Sequence, residues 1–254
     1  MNAQKKSQKY AAMFFTSLLL CLGTFGTSGC SSVEQKQDTA EDYYKKAEEF
    51  EKADRYEEAI RRYQDLKNKF PYSKLATESE LAVADIYFKQ ESFTEAAVSY
   101  ATFRELHPRH PRIDYVIYQT GLSYFHQLPS TVDRDLSFSA DAIKLFDELQ
   151  SLYPQSKYVE EVRVKRAEII RKLAGKEEYI ARFYFKQQKW ESSLGRYEGL
   201  LAKYPGSGFD PAALKNAMIC AKNLEQKDKV IKYKKELLSK YPDSAEAKSI
   251  QKED

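Results

Sequence analysis

The sequence predicts an all-α protein, a solenoid in which five helix pairs stack into a right-handed superhelix. The first observation behind this is a recurring box of an aromatic residue or His followed by Pro: Phe70-Pro71, His107-Pro108, Tyr153-Pro154, Tyr204-Pro205 and Tyr241-Pro242. The second is a skeleton at identical offsets before the first two prolines, Ala47, Phe50, Ala59, Tyr63 and Leu66, then Ala84, Tyr87, Ala96, Tyr100 and Phe103. The third is composition: 34 aromatic residues against only 9 Gly and 8 Pro supply core area and leave few obligatory turns.

Taken from the N-terminus, Lys5, Lys6 and Lys9 precede an apolar run from Ala11 to Phe25. Gly26, Thr27, Ser28 and Gly29 then lead into Cys30, the layout of a secretory signal peptide over residues 1–29. The run contains Thr16 and Ser17 and falls short of the roughly 18 apolar residues of a membrane span. Small residues before a Cys resemble the lipobox of bacterial lipoproteins, with Thr27 where that family usually has Leu, so Cys30 is the expected lipidation site and ordinary cleavage after Gly29 the alternative. In that family Ser31, rather than Asp, after the Cys implies sorting to the outer membrane. Residues 30–38 read as the lipidated Cys and a polar tether. Cys220 is then the one other mature cysteine, which excludes a disulfide within the chain and suits a small core residue.

The prolines lie 37, 46, 51 and 37 residues apart, and the later copies keep the skeleton. The third reads Gly121, Tyr124, Ala142, Phe146 and Leu149, the fourth Ala181, Tyr184, Ser193, Tyr197 and Leu200, and the fifth, most degenerate, Met218, Ala221, Val230 and Leu237. Two helices approach closely only where Ala, Gly or Ser faces the partner, while Tyr, Phe and Leu three and four apart fill the space between pairs, and Pro stops the second helix. Capping boxes are expected at Thr39 with Asp42, Thr77 with Glu80 and Ser92 with Glu95. This pattern resembles the tetratricopeptide repeat over about residues 40–244; a plain Tyr-rich bundle would explain the apolar stripes but not the Pro box. Residues 127–139, with Pro129 and Asp133-Arg134-Asp135, form an insertion in the third copy. Lys157 to Leu173 add 17 helix-forming residues before the fourth. They predict one long helix from near Tyr158 to Gln187, about 45 Å, with Gly175 as its candidate break. The mature chain thus divides into an N-terminal lobe of three repeats, 39–156, and an extended helix with a C-terminal lobe of two, 157–250.

The formal charge of +3 comes from the three lysines of residues 1–29, which leave 38 basic against 38 acidic residues when removed. A neutral chain with alternating signs excludes a nucleic-acid binder by charge. Catalytic signatures are missing: there is no G-x-S-x-G, Walker loop, G-x-G-x-x-G, H-E-x-x-H or C-x-x-C, and no cofactor is expected. His107 and His110, each followed by a proline (Pro108 and Pro111), read as a helix connection rather than a zinc site, so no metal is expected. Asp133 and Asp135 read as loop-fixing residues, and a hydrolase using them is the weakest of the readings.

What remains is surface. The first helix of each pair lines the concave side, and one step around from the core stripe lie Glu41, Tyr44, Glu48 and Glu51, then Glu78, Leu81, Asp85 and Phe88, then Tyr115, Tyr118, Leu122 and Phe125. The acidic rim leads to an aromatic floor that suits an extended peptide with alternate aromatic side chains, unless Tyr115 to Phe125 pack on the insertion or the long helix. The rim itself would repel a terminal carboxylate.

One stretch is more particular. Leu106-His107-Pro108-Arg109-His110-Pro111-Arg112-Ile113-Asp114-Tyr115, then Tyr118, Gly121-Leu122, Asp133-Arg134-Asp135 and Tyr153-Pro154-Gln155-Ser156-Lys157-Tyr158, is similar to the BamD (ComL-like) family of lipoproteins. That resemblance implies a non-catalytic scaffold of the outer-membrane β-barrel assembly machinery, lipid-anchored on the periplasmic face. Its N-terminal repeats would receive unfolded outer-membrane proteins and its C-terminal repeats would dock the insertase subunit through that subunit's periplasmic domains, beside other assembly lipoproteins. Trp190 and the segment from Gly195 to Gly199 match the stretch that faces the insertase, so Arg196, with Trp190 and Glu198, is the expected partner interface. The alternative is a repeat lipoprotein assisting pilus or secretin assembly or the envelope-division system, which would share the repeats and the anchor but not the segment from Leu106 to Tyr115.

Overall fold

The computed structural model describes residues 38–252; the signal peptide, Cys30 and the tether up to residue 37 lie outside the described residues. Every regular element among the described residues is an α-helix, and ten of the eleven form five consecutive pairs. These are α1 (Ala40–Lys52) with α2 (Tyr56–Lys69), α3 (Lys74–Lys89) with α4 (Phe93–Leu106), and α5 (Ile113–His126) with α6 (Phe138–Leu152). The long α7 (Val159–Lys186) pairs with α8 (Trp190–Lys203), α9 (Asp210–Asn223) pairs with α10 (Lys227–Lys240), and a short α11 (Ala245–Gln251) closes the stack.

The small residues of the skeleton sit where the paired helices touch: Ala47, Ala59, Ala84, Ala96, Ala142, Ala181 and Ser193 are all fully buried. The crossing at Gly121 is tight, since a methyl there would come within 2.5 Å of Cε1 of Phe146. The fifth pair carries Met218 and Val230 instead, and both are only partly buried. A ring stands at the centre of each second helix, Tyr63, Tyr100, Phe146, Tyr197 or Tyr233, each at most 3% exposed. The first four keep one offset from their box proline, and Tyr233 of the degenerate fifth copy sits one residue further from its own. Where the ring is Tyr its hydroxyl finds a partner, as a buried phenol must. Tyr63 donates to Glu51 at 3.1 Å and Tyr100 to Asp85 at 2.6 Å, Tyr197 accepts from Asn216 at 3.1 Å, and Tyr233 donates to Glu198.

The turns repeat as closely as the helices. Each residue before a box proline, Phe70, His107, Tyr153, Tyr204 and Tyr241, ends its helix with φ between −127° and −134°. A following Pro disfavours the helical conformation there. Between the helices of a pair, Asp54, Glu91, Gln188 and Glu225 occupy the left-handed region at φ of 55° to 59°. Of the expected capping boxes, the one at Thr39 and Asp42 forms. Thr77 lies inside α3, which starts three residues earlier because Ser73 of the Pro box accepts from the Leu75 amide at 3.2 Å, and Ser92 precedes α4 without a side-chain cap. Ser244 caps α11 in a similar way, accepting from the Ala247 amide at 3.1 Å.

Four apolar clusters form the core. Two small ones serve the first repeat, the largest spans Leu81 to Ile169, and another spans Ala174 to Ile250. The two large clusters meet inside α7. That helix runs unbroken for 28 residues, about 42 Å, so the candidate break at Gly175 is not there. Gly175 is buried at a crossing, where a methyl would meet Phe209 and Val132 at 3.4 Å, close to ordinary van der Waals contact. The insertion lies along the same stretch of α7. Lys172 donates to the carbonyls of Pro129 (2.9 Å) and Ser130 (3.2 Å), and Lys176 to that of Arg134 (2.9 Å).

Candidate peptide groove and partner interface

The first helices α1, α3 and α5 bring the aromatic and acidic residues to one face, and at its centre stands Asp85 of α3. Its Oδ1 accepts from the hydroxyls of Tyr100 (2.6 Å) and Tyr115 (2.7 Å), while Oδ2 lies 4.0 Å from the Arg112 guanidinium. Burial pushes the Asp85 carboxyl above the usual carboxylate range despite these partners. Tyr115 is pushed up to about 12, by burial first and by Asp85 second. Arg112 covers the Tyr115 ring at 4.4 Å, and Gln119 donates to the Tyr115 hydroxyl at 3.0 Å.

The aromatic floor is largely covered by the protein itself. Tyr158, at the start of α7, stacks on Tyr118 at 4.3 Å and meets Tyr115 at 5.8 Å. Leu81, Tyr118 and Leu122 are buried in the largest core cluster, which corrects their reading as groove-lining positions. For Tyr118 the physical cause is the 17-residue extension, which brings Tyr158 at the start of α7 against α5. Four of the expected groove residues keep partial exposure. Tyr44 meets Tyr63 edge-on at 5.3 Å, and Phe88 sits in a corner with Phe93 and His126. Tyr115 is described above, and Phe125 lies under the Lys165 ammonium at 4.7 Å. Burial and Lys165 together lower the basicity of His126.

The doubled His-Pro box has a structural role that spacing alone concealed. His110 stands where three other boxes and α11's cap have Ser, two residues after the Pro, and its Nδ1 accepts from the Arg112 amide at 3.3 Å as a serine hydroxyl would. An accepting Nδ1 puts the proton on Nε2, which donates to Glu78 of α3 at 3.2 Å. His107 reaches Glu80 at 2.8 Å, and Phe103 packs between the two imidazoles. Burial opposes ionisation of Glu80, but Lys67 and His107 hold its carboxyl below the usual range. These glutamates lie 27 and 32 residues from their histidines, beyond any local motif. Among the described residues no three His, Cys, Asp or Glu side chains group to hold a metal ion. Asp135 accepts from the Ser137 amide and hydroxyl, and the Thr131 hydroxyl bond holds the exposed Asp133 below its ordinary pKa, so both acids fasten the insertion.

The three expected interface residues sit on α8, and the structure does not place them on one outward surface. Trp190 packs edge-on against Phe185 at 5.3 Å in the C-terminal cluster. Glu198 is partly exposed and already engaged, accepting from Lys229 at 2.8 Å and from Tyr233, and so ties α8 to α10. Arg196 is half exposed and pairs with Glu177 of α7 at 3.0 Å. Gly195 and Gly199 beside it leave the surface bare, since a methyl added at either would find nothing within 4 Å.

Stacked, capped helix pairs whose polar clusters fix turns and seams define a helical-repeat protein of tetratricopeptide type, with its working parts on its faces. The chain belongs to the YfiO family of outer membrane lipoproteins, whose profile matches residues 36–237. It is 27% identical over 240 residues to the outer membrane protein assembly factor BamD of Neisseria gonorrhoeae, covering 90% of each chain. To the protein of the same name from Neisseria meningitidis serogroup B it is 28% identical, covering 83% of each. Among solved structures it is similar to the TPR2AB domain of yeast Sti1 in complex with pHSP90, at 15% identity and a TM-score of 0.42, covering 82% of this chain and 80% of that one.

Proposed function

We propose that the chain is a non-catalytic outer-membrane protein assembly factor, a lipoprotein scaffold of the β-barrel assembly machinery held at the periplasmic face of the outer membrane by acylated Cys30. The observation that carries this reading is the family match over residues 36–237, together with a relative of that name that matches nine-tenths of the chain. In this reading the lobe 39–156 receives unfolded outer-membrane proteins on the exposed parts of Tyr44, Phe88, Tyr115 and Phe125, around the Asp85 and Arg112 pair. The lobe 157–250 docks the insertase subunit through that subunit's periplasmic domains, with Arg196 exchanging Glu177 for a partner carboxylate. No helix among the described residues is long and apolar enough to cross a membrane, which is compatible with anchoring through acyl chains. Depletion in the native cell tests the reading: folded porin-type proteins should fall in the outer membrane, and unchanged porin levels would sink it.

A further inference from the structure

The first helix of each pair has two positions, two residues on either side of the small skeleton residue, that face the preceding pair. They are Lys45 and Glu49 in α1, Ala82 and Ile86 in α3, Gln119 and Ser123 in α5, Tyr179 and Phe183 in α7, and Asn216 and Cys220 in α9. Where a pair stacks on another, these positions are covered by the preceding second helix. Ile86 is fully buried with Ala59 and Tyr63 of α2, Cys220 is fully buried, and Asn216 bonds Tyr197 of α8. In the first pair, which starts the stack, both positions carry charge and face solvent, as a terminal unit requires.

The fourth pair breaks this rule. Tyr179 is 47% and Phe183 is 53% exposed, so two aromatic rings stand about half exposed at a stacking position where Ile86 and Cys220 are fully buried. The added length of α7 is the cause. Its first half already engages α6, with Val162 and Ile169 buried beside Phe146 and Leu149 and with Arg166 bonding Asp147 at 2.6 Å. The insertion covers α7 only as far as Gly175 and Lys176. Arg182 and Lys186 follow the two rings by three residues and flank them on the helix surface. Over residues 171–189 six cations face two acids: Glu177 pairs with Arg196 outside this stretch, and Glu178 pairs with Arg182 at 3.7 Å, which leaves Lys186 and the other lysines and arginine of the stretch in excess.

We propose that the Tyr179 and Phe183 face of α7 docks an acidic amphipathic α-helix of another protein. The shape of the occupant follows from the stack, because a second helix is what covers this position in the other joined pairs. Its charge follows from the basic rim, and its apolar stripe from the two rings, which gain most from flat aliphatic contact. The inference does not depend on the assembly role and stands or falls apart from the depletion result.

The test places p-benzoylphenylalanine at position 179 or 183 of the full-length protein in its own cell envelope, with position 45 as the control, and maps photoadducts by tandem mass spectrometry. The expected result is one heterologous protein at both positions, cross-linked within a segment whose acidic residues recur at helical spacing. Arg182→Glu with Lys186→Glu should cut that yield at least tenfold while circular dichroism stays unchanged. Where charge reversal perturbs the fold, Arg182→Gln with Lys186→Gln is judged by the same criterion. Absence of a protein adduct, adducts to lipid or to a second copy, a segment without acids, equal yield at position 45, or a yield insensitive to the charge changes would each overturn it.

Discussion

Asp85 shows at the scale of one residue how this fold accommodates polar groups. Two phenols and a guanidinium surround it, yet burial dominates and its carboxyl titrates above the ordinary value of about 3.9. A raised carboxylate pKa means the fold prefers the protonated form, so this site's stability is complete at low pH and is lost as pH rises through the raised pKa. Asp85→Asn does not titrate, so its stability relative to wild type should improve between pH 3 and pH 7. Urea unfolding at the two pH values measures this, and a constant difference would contradict it. Asp85 is readable in the sequence as a surface position of a first helix, but its partners are not. Tyr100 and Tyr115 lie 15 and 30 residues away, and only the stacking of pairs brings them to one oxygen.

Single helices are the most legible elements, because box prolines, small crossing residues and buried rings repeat in phase. The spacing predicts the long helix from near Tyr158 to Gln187, and these two residues flank α7 as its caps. What periodicity cannot supply is the facing surface: Leu81, Tyr118 and Leu122 lie on the correct side of their helices but under a neighbour. Helix α11 is not anticipated by the repeat pattern, although its signal, Ser244 two residues after Pro242, is the one that starts α3. Two predictions belong to this scale. Gly121→Ala gains about 1 kcal/mol of helix propensity but forces a methyl against Phe146, and overpacking at about 1–3 kcal/mol should win, giving a lower urea midpoint. Gln188→Gly relieves a left-handed residue at φ 59° and should stabilise by about 0.5–1 kcal/mol, visible as a higher Tm. A loss of stability in the second variant would mean that Gln188 makes a contact worth more than the strain.

For the whole molecule the anchoring prediction is the simplest. Cys30→Ser should move the protein from the membrane to the soluble periplasmic fraction on fractionation; retention in cells lacking its partners would exclude lipid attachment as the hold. The unbroken course of α7 bears on any attempt at dissection. A cut between residues 156 and 157, at the lobe boundary the sequence proposes, would strip the third pair of Val159, Val162 and Ile169. The C-terminal fragment would carry that same greasy ridge into water. Each half would then aggregate for reasons foreign to its task, so loss of binding in such fragments would report a severed shaft and not a missing contact.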